Sequence, residues 1–195
     1  MNYLAHCYLA DRTSTSIVGS LMGDFVRGPL EGRLPREIED GIRLHRRIDS
    51  FTDRHPLVLE AKGRMAQPFR RYAGILLDVF FDHFLARDWP RFHAEPLEEF
   101  ADRVYVEMHQ HADLLGDRMR VSLDYMRSRD LLASYREHAG IERALRGLST
   151  RLSRENPLAD GATVLKAQYP QLHCDFDAFF PLLVTFAMDE AHGRH

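Results

Sequence analysis

The sequence predicts an all-α fold, a single helical bundle spanning residues 1–195. Three observations carry this expectation. Breakers occur singly, at Gly28-Pro29, Pro35, Pro56, Pro68, Pro90, Pro96, Pro157, Pro170 and Pro181, and cut the chain into helix-sized pieces. Alternation of β-branched residues with period two is almost absent, so strands have little support. Hydrophobic residues make up 45% and charged ones 28%, the balance of a folded domain long enough to bury one continuous core.

In the first half, helices are expected over 3–10, 16–26, 36–52, 57–65 and 71–86. The second half adds 97–115, 118–127, 131–135, 141–152, 162–168 and 176–191. Pro35 before Arg36-Glu37, and Pro96 before Glu98 and Glu99, mark helix starts. A missing N–H costs nothing in a first turn, and acidic side chains favour the positive end of the helix dipole. The segment GILLDVFFDHFLARDW, residues 74–89, is apolar on nearly every side and reads as a helix buried all round.

Several function classes find no foothold. The formal net charge of -3 gives no global basis for nucleic-acid binding. Cys7 and Cys174 lack metal or disulfide spacing and suit a reducing compartment. The opening MNYLAHCYLAD is not a signal peptide, and no span approaches the roughly 20 apolar residues that cross a bilayer. A cytoplasmic protein with no nucleic-acid or membrane partner is expected. A Gly-rich phosphate loop, a GxSxG elbow and a cysteine placed with a base are all missing, which removes nucleotide-loop and covalent serine or thiol chemistry.

Acids and histidines carry the chemical signal. Asp78 and Asp82 interrupt the buried helix at four-residue spacing, one turn apart on one face. Two buried carboxylates this close need a cation or a shared proton. A divalent metal answers that need, and pairing with Arg70, Arg71 or Arg87 is the alternative. His83 could face the same site or cap the core. In IRLHRRIDSFTDRH a core-facing stripe begun by Ile38 and Ile42 continues into His45 and Asp49, which could bind one metal or simply hydrogen-bond each other. Asp24 in GSLMGDFVRG, with Arg27 nearby, and His6 in the apolar first helix are further candidates that alone would read as ordinary surface and core residues. Between 43 and 71 eight basic residues face only three acidic ones, which suits a phosphate group or an acidic protein partner. His109, His111, His138, His173 and His192 join no buried acidic stripe and are expected to be surface or core residues.

Taken together and in order, MNYLAHCYLA, GDFVRG, GIRLHRRIDSFTDRHP and LDVFFDHFLARDW resemble the acyl carrier protein phosphodiesterases, with a looser likeness at DFDAFFPLL. The resemblance implies an all-helical, metal-dependent hydrolase related to the HD phosphohydrolases. Such an enzyme removes the 4'-phosphopantetheine arm from holo-acyl carrier protein by cleaving the phosphodiester to its serine. It implies manganese as the metal, with Mg2+, Fe2+ or Zn2+ suited to the same donors. It implies site residues at Asp24, His45, Asp49, Asp78, Asp82 and His83, with His6 in the matching first motif. Within that set Asp24, His45, Asp78 and Asp82 are expected as metal ligands, Asp49 and His83 as ligands or orienters, and Arg27, Arg46 and Arg47 as phosphate-binding companions. The adjacent pair that names the HD proteins appears here only in reversed order, as Asp82-His83. A phosphohydrolase acting on a nucleotide or small phosphoester, and a non-enzymatic helical binding module, are the alternative functions.

Overall fold

A computed structural model describes residues 1–193, and every regular element among them is helical. In chain order the helices are α1 (Tyr3–Arg12), α2 (Ile17–Met22), α3 (Arg36–Arg54), α4 (Pro56–Gly63), α5 (Ala73–Arg87), α6 (Leu97–Gln110), α7 (Asp117–Ser128), α8 (Leu131–Ser134), α9 (His138–Arg151) and α10 (Ala162–His192). Short 3-10 turns precede α5 and follow it.

The apolar run predicted to be buried all round is the centre of the bundle. Leu76, Leu77, Val79, Phe80, Phe81, Phe84, Leu85 and Ala86 of α5 are all buried. Phe176, Phe179 and Phe180 of α10 pack on it, with Phe81 and Phe176 edge-on at 5.8 Å and Phe84 and Phe176 at 5.9 Å. The two helices expected over 162–168 and 176–191 are one merged helix with non-helical backbone at Gln168, just ahead of Pro170. Pro170 has no N–H to give the Lys166 carbonyl and its ring crowds that carbonyl, so the axis bends in this turn instead of stopping.

The helix expected over 16–26 ends early, at Met22. Beyond it the chain turns through Gly28 and Gly32, both at positive φ, where side-chain-bearing residues are strained. This connection is pinned to α3. Arg46 donates to the carbonyls of Val26 at 2.8 Å and Gly28 at 2.9 Å, and Gly32 N–H donates to Glu39 at 2.8 Å. The backbones of α2 and α3 touch through Gly19 and Gly41. A Cβ on Gly19 would lie 2.3 Å from the Ile38 carbonyl oxygen, and one on Gly41 2.6 Å from that of Ser16.

That contact generates a stability prediction. Gly19→Ala must push two helix backbones apart and is expected to cost about 1–3 kcal/mol in chemical denaturation, the usual penalty of overpacking. Gly63→Ala in α4 meets nothing within 4 Å and should be neutral or stabilising by roughly 0.5–1 kcal/mol from propensity alone.

Candidate metal centre

The site is assembled where the start of α1 meets α3 and α5. The N-cap residue of α1, Asn2, makes no side-chain capping bond. The first-turn N–H groups of a helix need acceptors, and α5 supplies them. Asp82, fully buried, accepts from Leu4 N–H at 2.8 Å and Ala5 N–H at 3.1 Å. Burial raises the Asp82 carboxyl to about 7, with those two N–H bonds holding it down. One turn earlier, Asp78 lies 3.2 Å from the Met1 ammonium, which also contacts Asp49 at 3.2 Å. The ammonium is buried, which lowers its pKa, but Asp78 and Asp49 more than reverse this and raise it to about 11. Burial and the neighbouring charge of Asp49 push Asp78 up, against the pull of the ammonium.

Docking α1 in this register delivers His6 to His45. The two imidazoles stack with centroids 3.8 Å apart and planes 20° from parallel. Both Nε2 atoms converge on Asp49: His6 reaches Oδ1 at 3.1 Å and His45 reaches Oδ2 at 3.2 Å. Asp24, just past α2, lies 3.4 Å from His45 Nε2. Gly23 makes this approach feasible, because a Cβ there would sit 2.3 Å from the His45 ring. Both Nδ1 atoms are buried without a hydrogen-bond partner among the described residues, so neither ring is oriented from behind.

The electrostatics show what the site lacks. Asp49 and Asp78 contact the ammonium and Asp24 reaches His45, so with both imidazoles neutral three carboxylates are gathered with one contacting cation, two negative charges in excess. Burial alone would lower the His45 pKa, but hydrogen bonds to Asp24 and Asp49 override it and raise it to about 9. Burial and the charge of His45 lower His6 to about 4, outweighing Asp49. Burial would raise Asp49, yet its two histidine partners and the ammonium hold it well below the usual carboxylate range. Asp24 is likewise lowered by His45 against burial. A proton on His45 thus takes up charge that a divalent ion would neutralise better. His6, His45 and Asp49 each offer one ligand atom, all within 4.8 Å of one another, so this group could hold a metal ion. Nitrogen and oxygen donors with two spare negative charges fit a divalent first-row ion.

A second cluster, Asp88, His173 and Asp177, has similar ligand spacing but not the charge deficit. Arg87 pairs with Asp88 at 2.8 Å, and Arg91 bridges Asp88 at 3.1 Å and Asp177 at 3.0 Å. Two guanidinium groups balance two carboxylates there.

The expected site residues therefore divide. His45, Asp49 and Asp24 come together, with Asp78 at their edge and His6 in the middle. Asp82 lies outside the cluster: it caps α1, bonded neither to a metal-ligand group nor to an arginine as sequence reasoning allowed. His83 points elsewhere, its Nδ1 2.8 Å from the Tyr135 carbonyl and its Nε2 2.9 Å from the Tyr169 hydroxyl. Asp82 and His83 thus meet different partners, the start of α1 on one side and Tyr135 and Tyr169 on the other. Arg46 is committed to loop carbonyls, Arg47 pairs with Glu190, and Arg27 is exposed. Sequence reasoning missed the Met1 ammonium and ranked His6 low; the one signal for His6 was an imidazole amid an otherwise apolar, buried run, Leu4 to Ala10.

Two tests follow from this geometry. Asp82→Ala leaves two buried N–H groups without an acceptor and should cost about 3 kcal/mol in denaturation, with Asp88→Ala, at a balanced surface network, costing less. In the metal-free protein, imidazole NMR titration should find His45 charged up to about pH 9 and His6 neutral down to about pH 4. The raised His45 stabilises the fold fully below its unfolded value of 6.5 and loses this as pH rises through 9. The depressed His6 costs stability as pH falls from 6.5 through 4. Their combined contribution should peak near pH 6.5, as midpoints of metal-free denaturation against pH can check.

Comparison with known proteins adds an independent line. A family model described as acyl carrier protein phosphodiesterase matches residues 1–183. A protein of that name from Klebsiella pneumoniae is 40% identical over 191 residues, covering 96% of this chain and 97% of the relative. Others of the same name are 36% identical from Yersinia enterocolitica, covering 97% and 99%, and 37% identical from Escherichia coli, covering 98% and 100%. No solved structure matches the chain significantly.

Proposed function

The chain belongs to the acyl carrier protein phosphodiesterase family, and from that premise we propose that it hydrolyses the phosphodiester between 4'-phosphopantetheine and the serine of holo-acyl carrier protein, releasing apo-carrier. The observation that carries the reading is the convergence of two imidazole nitrogens on one carboxylate, with two spare negative charges around them. In this reading His6, His45, Asp49 and Asp24 hold one divalent ion, manganese by family resemblance, with Mg2+, Fe2+ or Zn2+ suited to the same donors. The bound ion supplies Lewis-acid activation of the phosphoryl group and acidifies water.

The protein's own groups do the rest. Asp78, whose pKa burial and Asp49 push up, is suited to take the proton of the attacking water. Asp82 keeps α1, and with it His6, in register. Arg46 straps the connection that carries Asp24, and so acts by positioning.

Docking of an acidic carrier protein would rely on a smaller set of cations than the sequence suggests. Arg43 pairs with Glu39 and Asp40, Arg47 with Glu190, Lys62 with Asp53 and Arg64 with Glu60 and Asp175. Arg27, Arg54, Arg70 and Arg71 are exposed and form no ion pair among the described residues. These four are free to steer an acidic partner, an attraction that salt screens. The reading places the reaction in the cytoplasm, in keeping with two free cysteines; no described helix is long and apolar enough to cross a membrane.

Incubation of manganese-loaded protein with holo-carrier, followed by intact mass, should show loss of the phosphopantetheine arm, and Asp49→Asn should abolish it. Apparent KM should rise with ionic strength. An unchanged carrier mass, with turnover of a small phosphodiester instead, would overturn the substrate assignment.

A further inference from the structure

A threonine in or beside a helix usually gives its hydroxyl proton to a backbone carbonyl three or four positions back. Thr13, Thr150, Thr163 and Thr185 do this, donating to the carbonyls of Leu9, Gly147, Asp160 and Pro181 at 2.7 to 3.0 Å. Thr15 bonds the Thr13 hydroxyl at 2.9 Å. Thr52, in the last turns of α3, is different. It is only 2% exposed, and its hydroxyl has no hydrogen-bond partner among the described residues. A buried hydroxyl left without a partner costs about 1–3 kcal/mol. The fold alone would be better served by an apolar side chain of the same shape.

Thr52 stands on the stripe of α3 that carries the metal centre. It follows His45 by seven positions and Asp49 by three in one unbroken helix, so all three side chains leave the same face, with about 4.5 Å of helix axis between Asp49 and Thr52. Asp49 turns to His6, His45 and the Met1 ammonium, and Asp78 comes to that ammonium from α5. The side chains of Asp49 and Asp78 are each 37% exposed, so water reaches both carboxylates. A hydroxyl brings no charge to this place. What it adds is a neutral acceptor and donor, which can take one hydrogen of a water molecule while a carboxylate takes the other.

We propose that Thr52 is a catalytic residue whose hydroxyl hydrogen-bonds the attacking water and aims its oxygen at phosphorus. The proposal rests on the phosphodiesterase reading above. In that step the water oxygen bonds phosphorus and one of its protons passes to Asp78. The bond from phosphorus to the serine oxygen breaks, and that oxygen takes a proton from solvent. Thr52 thus trades stability of the empty protein for order in the reacting one.

The test compares wild type with Thr52→Val, which keeps the shape and removes the hydroxyl, and with Thr52→Ser, which keeps the hydroxyl. In the metal-free protein Thr52→Val should melt at or above the wild-type midpoint, as expected when an unpartnered buried hydroxyl is removed. Loaded with manganese, it should lose at least tenfold in kcat on holo-carrier, while KM and manganese affinity stay within about twofold of wild type. Thr52→Ser should keep most of the wild-type kcat. Wild-type kcat in Thr52→Val, a metal-free midpoint several degrees below wild type, or a Thr52→Ser as slow as Thr52→Val would each overturn the proposal while leaving the phosphodiesterase reading in place. No turnover of holo-carrier by wild type would overturn that reading and this inference with it.

Discussion

The bundle's chemistry depends on one buried carboxylate that touches no other site residue. Asp82 on the central helix accepts the first-turn N–H groups of α1, which has no cap of its own. A helix N-terminus carries partial positive charge and unsatisfied donors, so an acid from a neighbouring helix fixes both its depth and its rotation. Asp78, one turn back along α5, extends the same contact to the Met1 ammonium. With α1 seated this way His6 has one place to go, against the ring of His45. The rest of the centre assembles around that pair: α3 brings Asp49 one turn after His45, and the glycine contact between α2 and α3 brings Asp24.

The same economy explains why the centre favours a cation while other polar clusters do not. Elsewhere acid clusters meet arginines directly, as in the Asp88, His173 and Asp177 network. At the His6 and His45 pair the cation in direct contact is the Met1 ammonium, which meets Asp49 and Asp78, while Asp24 and Asp49 meet His45. The resulting opposite shifts of two stacked imidazoles, one up to about 9 and one down to about 4, are what an acid-rich site does with the one proton available to it.

Much of this was legible in the residues. The all-helical class followed from breaker spacing and from the absence of alternation, and the buried character of α5 from its apolar run. The four-residue spacing of His45 and Asp49 correctly put them on one helix face. The spacing of Asp78 and Asp82 was equally sound, since both do point the same way. What spacing cannot reveal is the neighbour they meet, here the start of another helix, whose backbone donors leave no pattern in the sequence. His83 was drawn in by adjacency to Asp82, but the Tyr135 carbonyl and the Tyr169 hydroxyl, distant in the chain, engage its ring. Arg46 and Arg47 looked like free cations because the carbonyls and the distant Glu190 that engage them lie 18 to 143 positions away in the chain.

The account's central claim is that His6, His45, Asp49 and Asp24 hold one divalent ion, while Asp82 and His83 do not. Manganese content after dialysis, measured on wild type, His6→Ala, Asp49→Asn and His83→Ala, tests it most directly. The account predicts about one equivalent in wild type and His83→Ala, with loss in His6→Ala and Asp49→Asn. Metal retained in His6→Ala but lost in a folded His83→Ala would contradict it.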